Sequence, residues 1–311
     1  MAESLVSIGI PTFNRAERLA RAAASALAQT YSNIELVISD NGSTDATDEL
    51  CRRLAARDPR VRYLRSPVNR GLTENFNVLY REMRGDYVLT LSDDDWLAAD
   101  YIERCLSAVG EHVLVCGLAR YVDEAGDVVR TARPMRFEQR DPATRIRAYL
   151  SAVDENAILY GVVPRAVMTR AAPMRNVLAN DWLVVAAILA QGTAVTQVET
   201  AVYRQLGGTS ASFPKLVDTL GLPRWHARLP HLVIAREVLV EIAWRGRAFR
   251  AIPNRLALAV RSAGSVIDWA SIAWHLTLPT FAGLGRRKRG RWLWLSYQRF
   301  TRMLGAGWTR D

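Results

Sequence analysis

Tyr87-Val-Leu-Thr-Leu-Ser-Asp-Asp-Asp95 is an apolar run that ends on three adjacent carboxylates. Its first five residues read as a buried strand, and the charge begins where the strand stops. Such a strand fits a parallel sheet covered on both faces, with ligand-binding loops beyond the strand ends. Outward from it the same design recurs. Val6-Ser-Ile-Gly-Ile10 is an apolar run closed by Pro11, and Ile34-Glu-Leu-Val-Ile38 runs into the polar turn Ser39-Asp-Asn-Gly-Ser-Thr-Asp45. Residues 15–29, 46–56 and 72–83 carry apolar side chains at helical spacing, the last stretch stopped by Gly85, and 61–64 is a further short strand. Strict alternation of strand and helix predicts an α/β fold with a parallel sheet flanked by helices. The polar loops at 11–14, 39–45 and 92–95 are then expected to converge on one crevice.

The second stretch is less regular. A strand is expected over 113–122, with a hairpin turn at Asp123-Glu-Ala-Gly126, and a loop or short strand over 131–140. Helices are expected over 141–153 and 181–190, the second stopped by Gly192, and a last strand over 195–202. Beyond 213 the pattern is helical, broken by Pro223, Pro230, Pro253 and Pro279.

Neither GxGxxG nor GxxxxGK[ST] follows the first strand, which argues against a dinucleotide fold and a P-loop enzyme. Asp93, Asp94 and Asp95 together are costly unless a cation or deep solvation offsets their repulsion. Taken alone they read equally as a solvated acidic turn that starts a helix. After a buried strand, and opposite a second Asp-rich loop, they read as a site for a hard divalent cation, which commonly takes one or two carboxylates plus substrate phosphates.

Composition narrows the class. Of 311 residues, 50% are hydrophobic and 23% charged, values of an ordinary globular chain that exclude disorder, collagen and coiled coil as the main state. Cys51, Cys105 and Cys116 are odd in number and widely spaced, which suits neither a disulfide scaffold nor a zinc module. They read as small buried apolar residues. His112, His226, His231 and His275 lack metal-ligand spacing. The formal net charge of +10 is uneven. Residues 1–210 hold 24 Lys and Arg against 26 Asp and Glu, a net of −2, whereas 211–311 hold 17 against 5, a net of +12. The start, Met1-Ala-Glu-Ser4, carries no basic segment leading into an apolar run, so the reducing cytoplasm is the expected location.

Five pieces occur in order: Pro11-Thr-Phe-Asn14, Ser39-Asp-Asn-Gly-Ser-Thr-Asp45, Asn69-Arg-Gly71 with Asn77, Gly85-Asp-Tyr-Val88 and Leu91-Ser-Asp-Asp-Asp95. Together they resemble the nucleotide-binding half of the family 2 glycosyltransferases of GT-A fold. The likeness covers about residues 4–210 and implies an inverting, metal-dependent transfer of a sugar from a nucleotide diphosphate. It implies a catalytic domain over 1–210, with a nucleotide-sugar half at about 1–110 and an acceptor half at about 111–210. A helical, basic region, 211–311, follows.

The resemblance carries roles residue by residue. Pro11, Thr12 and Asn14 would line the nucleotide pocket, with Arg70 beside them. Asp40 would sit by the base or ribose of a UDP- or dTDP-type donor, next to Asn41, where many relatives carry Asp. Asp93 and Asp95 form the DxD-type pair for Mn²⁺ or Mg²⁺, Asp95 as the direct ligand, and Asp94 would face the donor sugar. Asp181, in Asn180-Asp181-Trp182, matches the carboxylate that deprotonates the acceptor hydroxyl; read without the family it is a helix N-cap. Arg204 reads either as a diphosphate contact or as a solvated surface arginine. The stretch Asn156 to Arg165, with Tyr160-Gly161 and Pro164-Arg165, resembles the acceptor-side strand and turn of relatives, in which Gly161 reads either as a close-approach point for a sugar or as a turn glycine.

The partners implied are a nucleotide-sugar donor and a glycan, glycolipid or small-molecule acceptor. In the tail, Gly285-Arg-Arg-Lys-Arg-Gly-Arg291 precedes Trp292-Leu-Trp-Leu295, a pairing that suits an interfacial helix at the inner face of the cell membrane. It suits equally an arginine-rich helix docked on the first domain. Asp268, His275 and Pro279 interrupt the apolar stretch 262–285, so no clean span is expected. No nucleic-acid fold accompanies the basic patch, and a homo-oligomer is compatible with the sequence. Processive relatives carry a Gln-x-x-Arg-Trp motif; Arg224-Trp225 lacks the upstream Gln, so one sugar per encounter is expected. Two rival readings are a sugar-nucleotide nucleotidyltransferase and a non-catalytic protein that kept the fold. Pro11-Thr-Phe-Asn-Arg15 lacks the glycine-rich loop of the first, and intact Asp40, Asp95 and Asp181 argue against the second.

Overall fold

The computed structural model describes residues 3–152, 156–207 and 212–228, with isolated positions from 230 to 237. The chain forms two compact units, residues 1–223 and 224–311. In the second, the described residues include a short 3-10 turn, Arg224–Ala227. The basic run 285–291 and the tryptophans after it lie outside the described residues.

In the first unit, β1 (Val6–Thr12), α1 (Ala16–Leu27), β2 (Ile34–Asp40), α2 (Thr47–Arg57), β3 (Val61–Arg65), α3 (Leu72–Glu82) and β4 (Tyr87–Thr90) alternate as the apolar periodicity predicts. Every residue of β1 and β2 is buried, as befits strands covered on both faces. Leu19, Ala22, Ala23 and Ala26 supply the buried stripe of α1. Strand order is β3-β2-β1-β4, all parallel, with β9 (Val163–Pro164) added antiparallel to β4. The chain winds outward from β1 to β3 and then returns to the other side of β1. The switch point therefore lies between the C-terminal ends of β1 and β4, where such sheets open a crevice.

The strand after residue 5 runs on through Pro11 to Thr12, beyond the predicted stop. Pairing with β4 ends at Gly9, so the N–H that Pro11 lacks leaves no bond unmade on that side.

A second sheet holds β5 (Trp96–Leu97), β6 (Leu114–Val122), β7 (Val128–Thr131), β8 (Arg136–Phe137) and β10 (Ala194–Gln205), in the order β5-β10-β6-β7 with β8 against β10. Around it lie α4 (Tyr101–Leu106), α5 (Pro142–Ala152), a 3-10 turn at Ala157–Tyr160, α6 (Arg165–Ala171) and α7 (Asn180–Leu189), followed by α8 (Phe213–Thr219). Helices α4 and α6 and the antiparallel β9 depart from strict alternation; their segments are too short for periodicity to mark them. Among the described residues no helix is long and apolar enough to cross a membrane.

Candidate active site

Three loops meet at the switch point as their spacing predicts. Thr12, the last residue of β1, donates its hydroxyl to Asp93 Oδ2 at 2.8 Å. Arg15, in the next turn, donates Nη1 to Asp93 Oδ1 at 3.2 Å and to Asp94 Oδ2 at 2.7 Å. Asn14, at φ 54, accepts from Thr44 N at 2.8 Å and so ties the first loop to the second.

The β2 loop is built from inside. Asp40, expected beside the base or ribose, is fully buried under the loop. Its Oδ1 accepts from Ser43 N at 2.9 Å, its Oδ2 from Tyr63 Oη at 2.8 Å, and Arg65 Nε stands 3.4 Å away. Gly42 has φ 79, and a Cβ there would meet the Val68 carbonyl carbon at 2.9 Å. Asn41 donates Nδ2 to Asn69 Oδ1 at 2.8 Å and accepts from Arg70 N at 2.8 Å, clamping the segment that holds Arg70. The Arg70 side chain is exposed.

Asp95 faces the second sheet. Its Oδ2 accepts from Tyr160 Oη at 2.5 Å and its Oδ1 from Gln205 N at 2.9 Å, while Arg204 Nε lies 3.6 Å from Oδ2. Arg204 also sits over the rings of Tyr160 and Tyr121, at 5.3 and 5.5 Å. Strand β10 extends past its expected end at 202 to carry Arg204 and Gln205 to this point. A column of Arg21, Trp96 and Tyr203 backs it: Arg21 lies 3.7 Å above Trp96, which stacks on Tyr203 at 5.4 Å.

Burial dominates the electrostatics. It raises the Asp93 carboxyl to about 6, against the pull of Arg15, and it raises Asp95 as well, against Arg204 and Tyr160. These anions are desolvated beyond what the protein's donors repay. Each carboxylate oxygen keeps a further lone pair beside its present donor. The donor set of Asp93 and Asp95 therefore fits a hard divalent cation. Among the described residues no group of three or more His, Cys, Asp or Glu is placed to hold a metal ion.

Asp181 lies in the first turn of α7, just after Ala179, which takes a left-handed φ of 60. It is partly exposed, yet the protein around it desolvates the carboxylate and raises its pKa; Asn156 and Arg204 pull the other way. Arg204 favours the ionised form of both Asp95 and Asp181.

A family model described as glycosyl transferase family 2 matches residues 7–172. The chain belongs to glycosyl transferase family 2. Among curated relatives, glycosyltransferase GlyA of Streptococcus pneumoniae is 31% identical over 121 residues, 39% of this chain and 17% of that protein. A chondroitin synthase of Escherichia coli is 37% identical over 143 residues, 45% of this chain and 21% of that protein. The chain thus matches about a fifth of the length of each. The crystal structure of S. aureus TarS 1-349 in complex with UDP-GlcNAc shares the fold, with TM-score 0.55 and 14% identity over 89% of this chain and 83% of that one.

Within this family 2 domain, sequence reasoning missed Arg15 and Gln205, and it placed Asn156 and Tyr160 only in an acceptor-side stretch, without their contacts to the acids. Arg15 sits one residue past the Pro11–Asn14 motif, and its position at a helix start was the available signal. Tyr160 and Asn156 touch acids 65 and 25 residues away, so no local pattern shows those contacts. Gly161 is explained by packing: a Cβ there would meet Leu114 Cδ1 at 2.4 Å. All three cysteines are free and buried, and burial pushes the Cys51 thiol up to about 12. His112 bonds Thr193 Oγ1 at 2.8 Å.

Proposed function

We propose that this chain is an inverting glycosyltransferase that moves a sugar from a UDP- or dTDP-type donor to an acceptor hydroxyl in cell-envelope glycan, glycolipid or lipid-linked oligosaccharide synthesis. The observation that carries this reading is the division of the buried carboxylates between two elements. Asp93 to Asp95 sit at the β1/β4 switch point, and Asp181 stands apart from them on α7. Relatives that include a chondroitin synthase, and a fold shared with a protein solved with UDP-GlcNAc, support it.

In this mechanism the loops ending β1 and β2 seat the nucleotide, with Thr12, Asn14 and Arg70 at their rim and Asp40 and Asn41 setting their shape. Asp93 and Asp95 would hold a divalent cation, Mn²⁺ or Mg²⁺, which when bound neutralises the charge of the leaving diphosphate. Asp94 faces the donor sugar, and Arg204 meets the diphosphate. Asp181 takes the proton of the acceptor hydroxyl as its oxygen bonds the sugar C1, the bond from C1 to the β-phosphate oxygen breaks, and nucleoside diphosphate leaves. Attack opposite the leaving group inverts the anomeric centre. Peripheral contact of the basic C-terminal region with a membrane remains part of the proposal, on charge alone.

The test is a panel of UDP-, dTDP-, GDP- and CDP-sugars with Mn²⁺, followed by product NMR. Release of nucleoside diphosphate with an inverted anomer is expected. Release of pyrophosphate from a nucleoside triphosphate and a sugar phosphate would instead mark a nucleotidyltransferase, and a retained anomer would rule out the single displacement.

A further inference from the structure

Asp181 is gripped by a side chain 25 residues away in sequence. Asn156 donates Nδ2 to Asp181 Oδ2 at 3.0 Å, and Tyr149 Oη donates to Asn156 Oδ1 at 2.7 Å. Tyr149 is fully buried on α5 and is met edge-on by Phe137 at 5.6 Å. An amide has one acceptor end and one donor end. With the phenol on its oxygen, Asn156 must turn its NH₂ toward Asp181, so the network fixes which way the amide faces.

We propose that Asn156, oriented by Tyr149, is the positioning residue for Asp181: it holds Oδ2, so that Oδ1 receives the acceptor's proton. The proposal rests on the reading of Asp181 as the base. A carboxylate free to rotate about its last bond spends much of its time off the line to the hydroxyl, and a fixed one does not. The proton leaves the hydroxyl as the new bond to C1 forms and ends on Oδ1, with the nucleoside diphosphate as leaving group.

The groups around Asp181 come from four elements. Tyr149 reaches it electrically from α5, Tyr80 from α3 and Arg204 from β10, while the amides of Asp181 and Trp182 at the start of α7 act locally. Tyr80 and Tyr149 are buried phenols held neutral by that burial. The positive and hydrogen-bonding influences are Arg204, the two amides and Asn156. Removing Asn156 takes away one contact that favours the anion, so Asp181 then holds its proton to higher pH.

The test is a pH titration of the full-length protein labelled with carboxyl-¹³C aspartate, the Asp181 signal being identified by its loss in Asp181→Asn. Asn156→Ala is expected to move the Asp181 midpoint to higher pH. Tyr149→Phe, which keeps the ring and deletes only the hydroxyl, is expected to move it in the same direction by a smaller step. On the donor that the wild-type chain consumes, kcat is expected to fall about tenfold in Asn156→Ala at unchanged donor KM, its acid limb following the NMR midpoint. Midpoints unmoved in both variants overturn the positioning role. If Asp181→Asn is then still inactive, the base reading survives alone. If the midpoints move but Asp181→Asn turns over normally, it is the base reading that fails, and the positioning role falls with it. Should Asn156→Ala not fold, Tyr149→Phe decides by the same midpoint.

Discussion

The ends of β2 and β4 carry the same residue type and use it in opposite ways. After β2, Asp40 has no exposed surface, and both its oxygens accept from the protein, from Ser43 N and Tyr63 Oη, with Arg65 alongside. After β4, Asp93 and Asp95 are nearly as deep, at 7% and 3% exposure, yet their carboxyls are pushed up because burial outweighs their donors. Asp40's partners lie in its own loop and in β3 and shape that loop, whereas the partners of Asp93 and Asp95 come from β1 and β10 and set these two acids at the crevice.

The comparison can be broken with isosteric substitutions. Asp95→Asn keeps an acceptor for Gln205 N and a partner for Tyr160 but removes the charge. Turnover with Mn²⁺ should fall about 10²-fold or more. Thermal melting should shift by less than about 2 °C. A large loss of stability with activity kept would reverse the roles assigned to the two loops. Asp40→Asn should do the opposite, placing an amide against Arg65 or Tyr63 and lowering stability by about 1–3 kcal/mol in chemical denaturation. An unchanged midpoint would show that Asp40 is not the builder of its loop.

Two smaller effects sharpen the picture. Gly42→Ala forces a side chain into a left-handed turn and against Val68, at a cost of about 1–2 kcal/mol. Its denaturation midpoint should fall while the midpoint of Gly126→Ala, where a Cβ meets nothing within 4 Å, shows only the backbone penalty. Glu35, on β2 at the far end of the sheet from the site, is a second satisfied acid. Burial acts to raise its pKa, but donors from Ser7, the Arg84 amide and Arg62 outweigh it and the net shift is downward. A folded pKa below the unfolded one gives stability that is present above the ordinary value of 4.5 and lost as pH falls through the folded value. Glu35→Gln should therefore destabilise by about 1 kcal/mol at pH 7, with the gap to wild type closing in acid. A gap independent of pH would mean that the carboxylate's charge contributes nothing.

The first half of the fold was legible because its signals are local. The runs 6–10, 34–38 and 87–91 are apolar without interruption, and the helices between them keep a clear period. The convergence of three polar loops followed from parallel topology alone. The second sheet was less legible. Strands of two residues, such as Trp96–Leu97 and Val163–Pro164, are fixed by pairing with distant partners rather than by their own composition. The site divides in the same way. Asp93, Asp95 and Asp181 stand in recognisable motifs, whereas the bonds of Asn156, Tyr160 and Gln205 to those acids become visible only once the chain brings them together. Nor does a motif show the partners: Asp40 and Asp95 each accept from a backbone N–H and a tyrosine hydroxyl with an arginine alongside, and neither set can be read from the sequence.

The central claim is that the aspartates after β4 bind a divalent ion and a nucleoside diphosphate together. Thermal melting of the wild-type chain and Asp95→Asn with UDP, dTDP, GDP and CDP, each with and without Mn²⁺, tests it most directly. The account predicts that at least one nucleotide raises the wild-type Tm only when Mn²⁺ is present, and that Asp95→Asn loses this response. Equal stabilisation of both proteins, or a rise that ignores Mn²⁺, would contradict it.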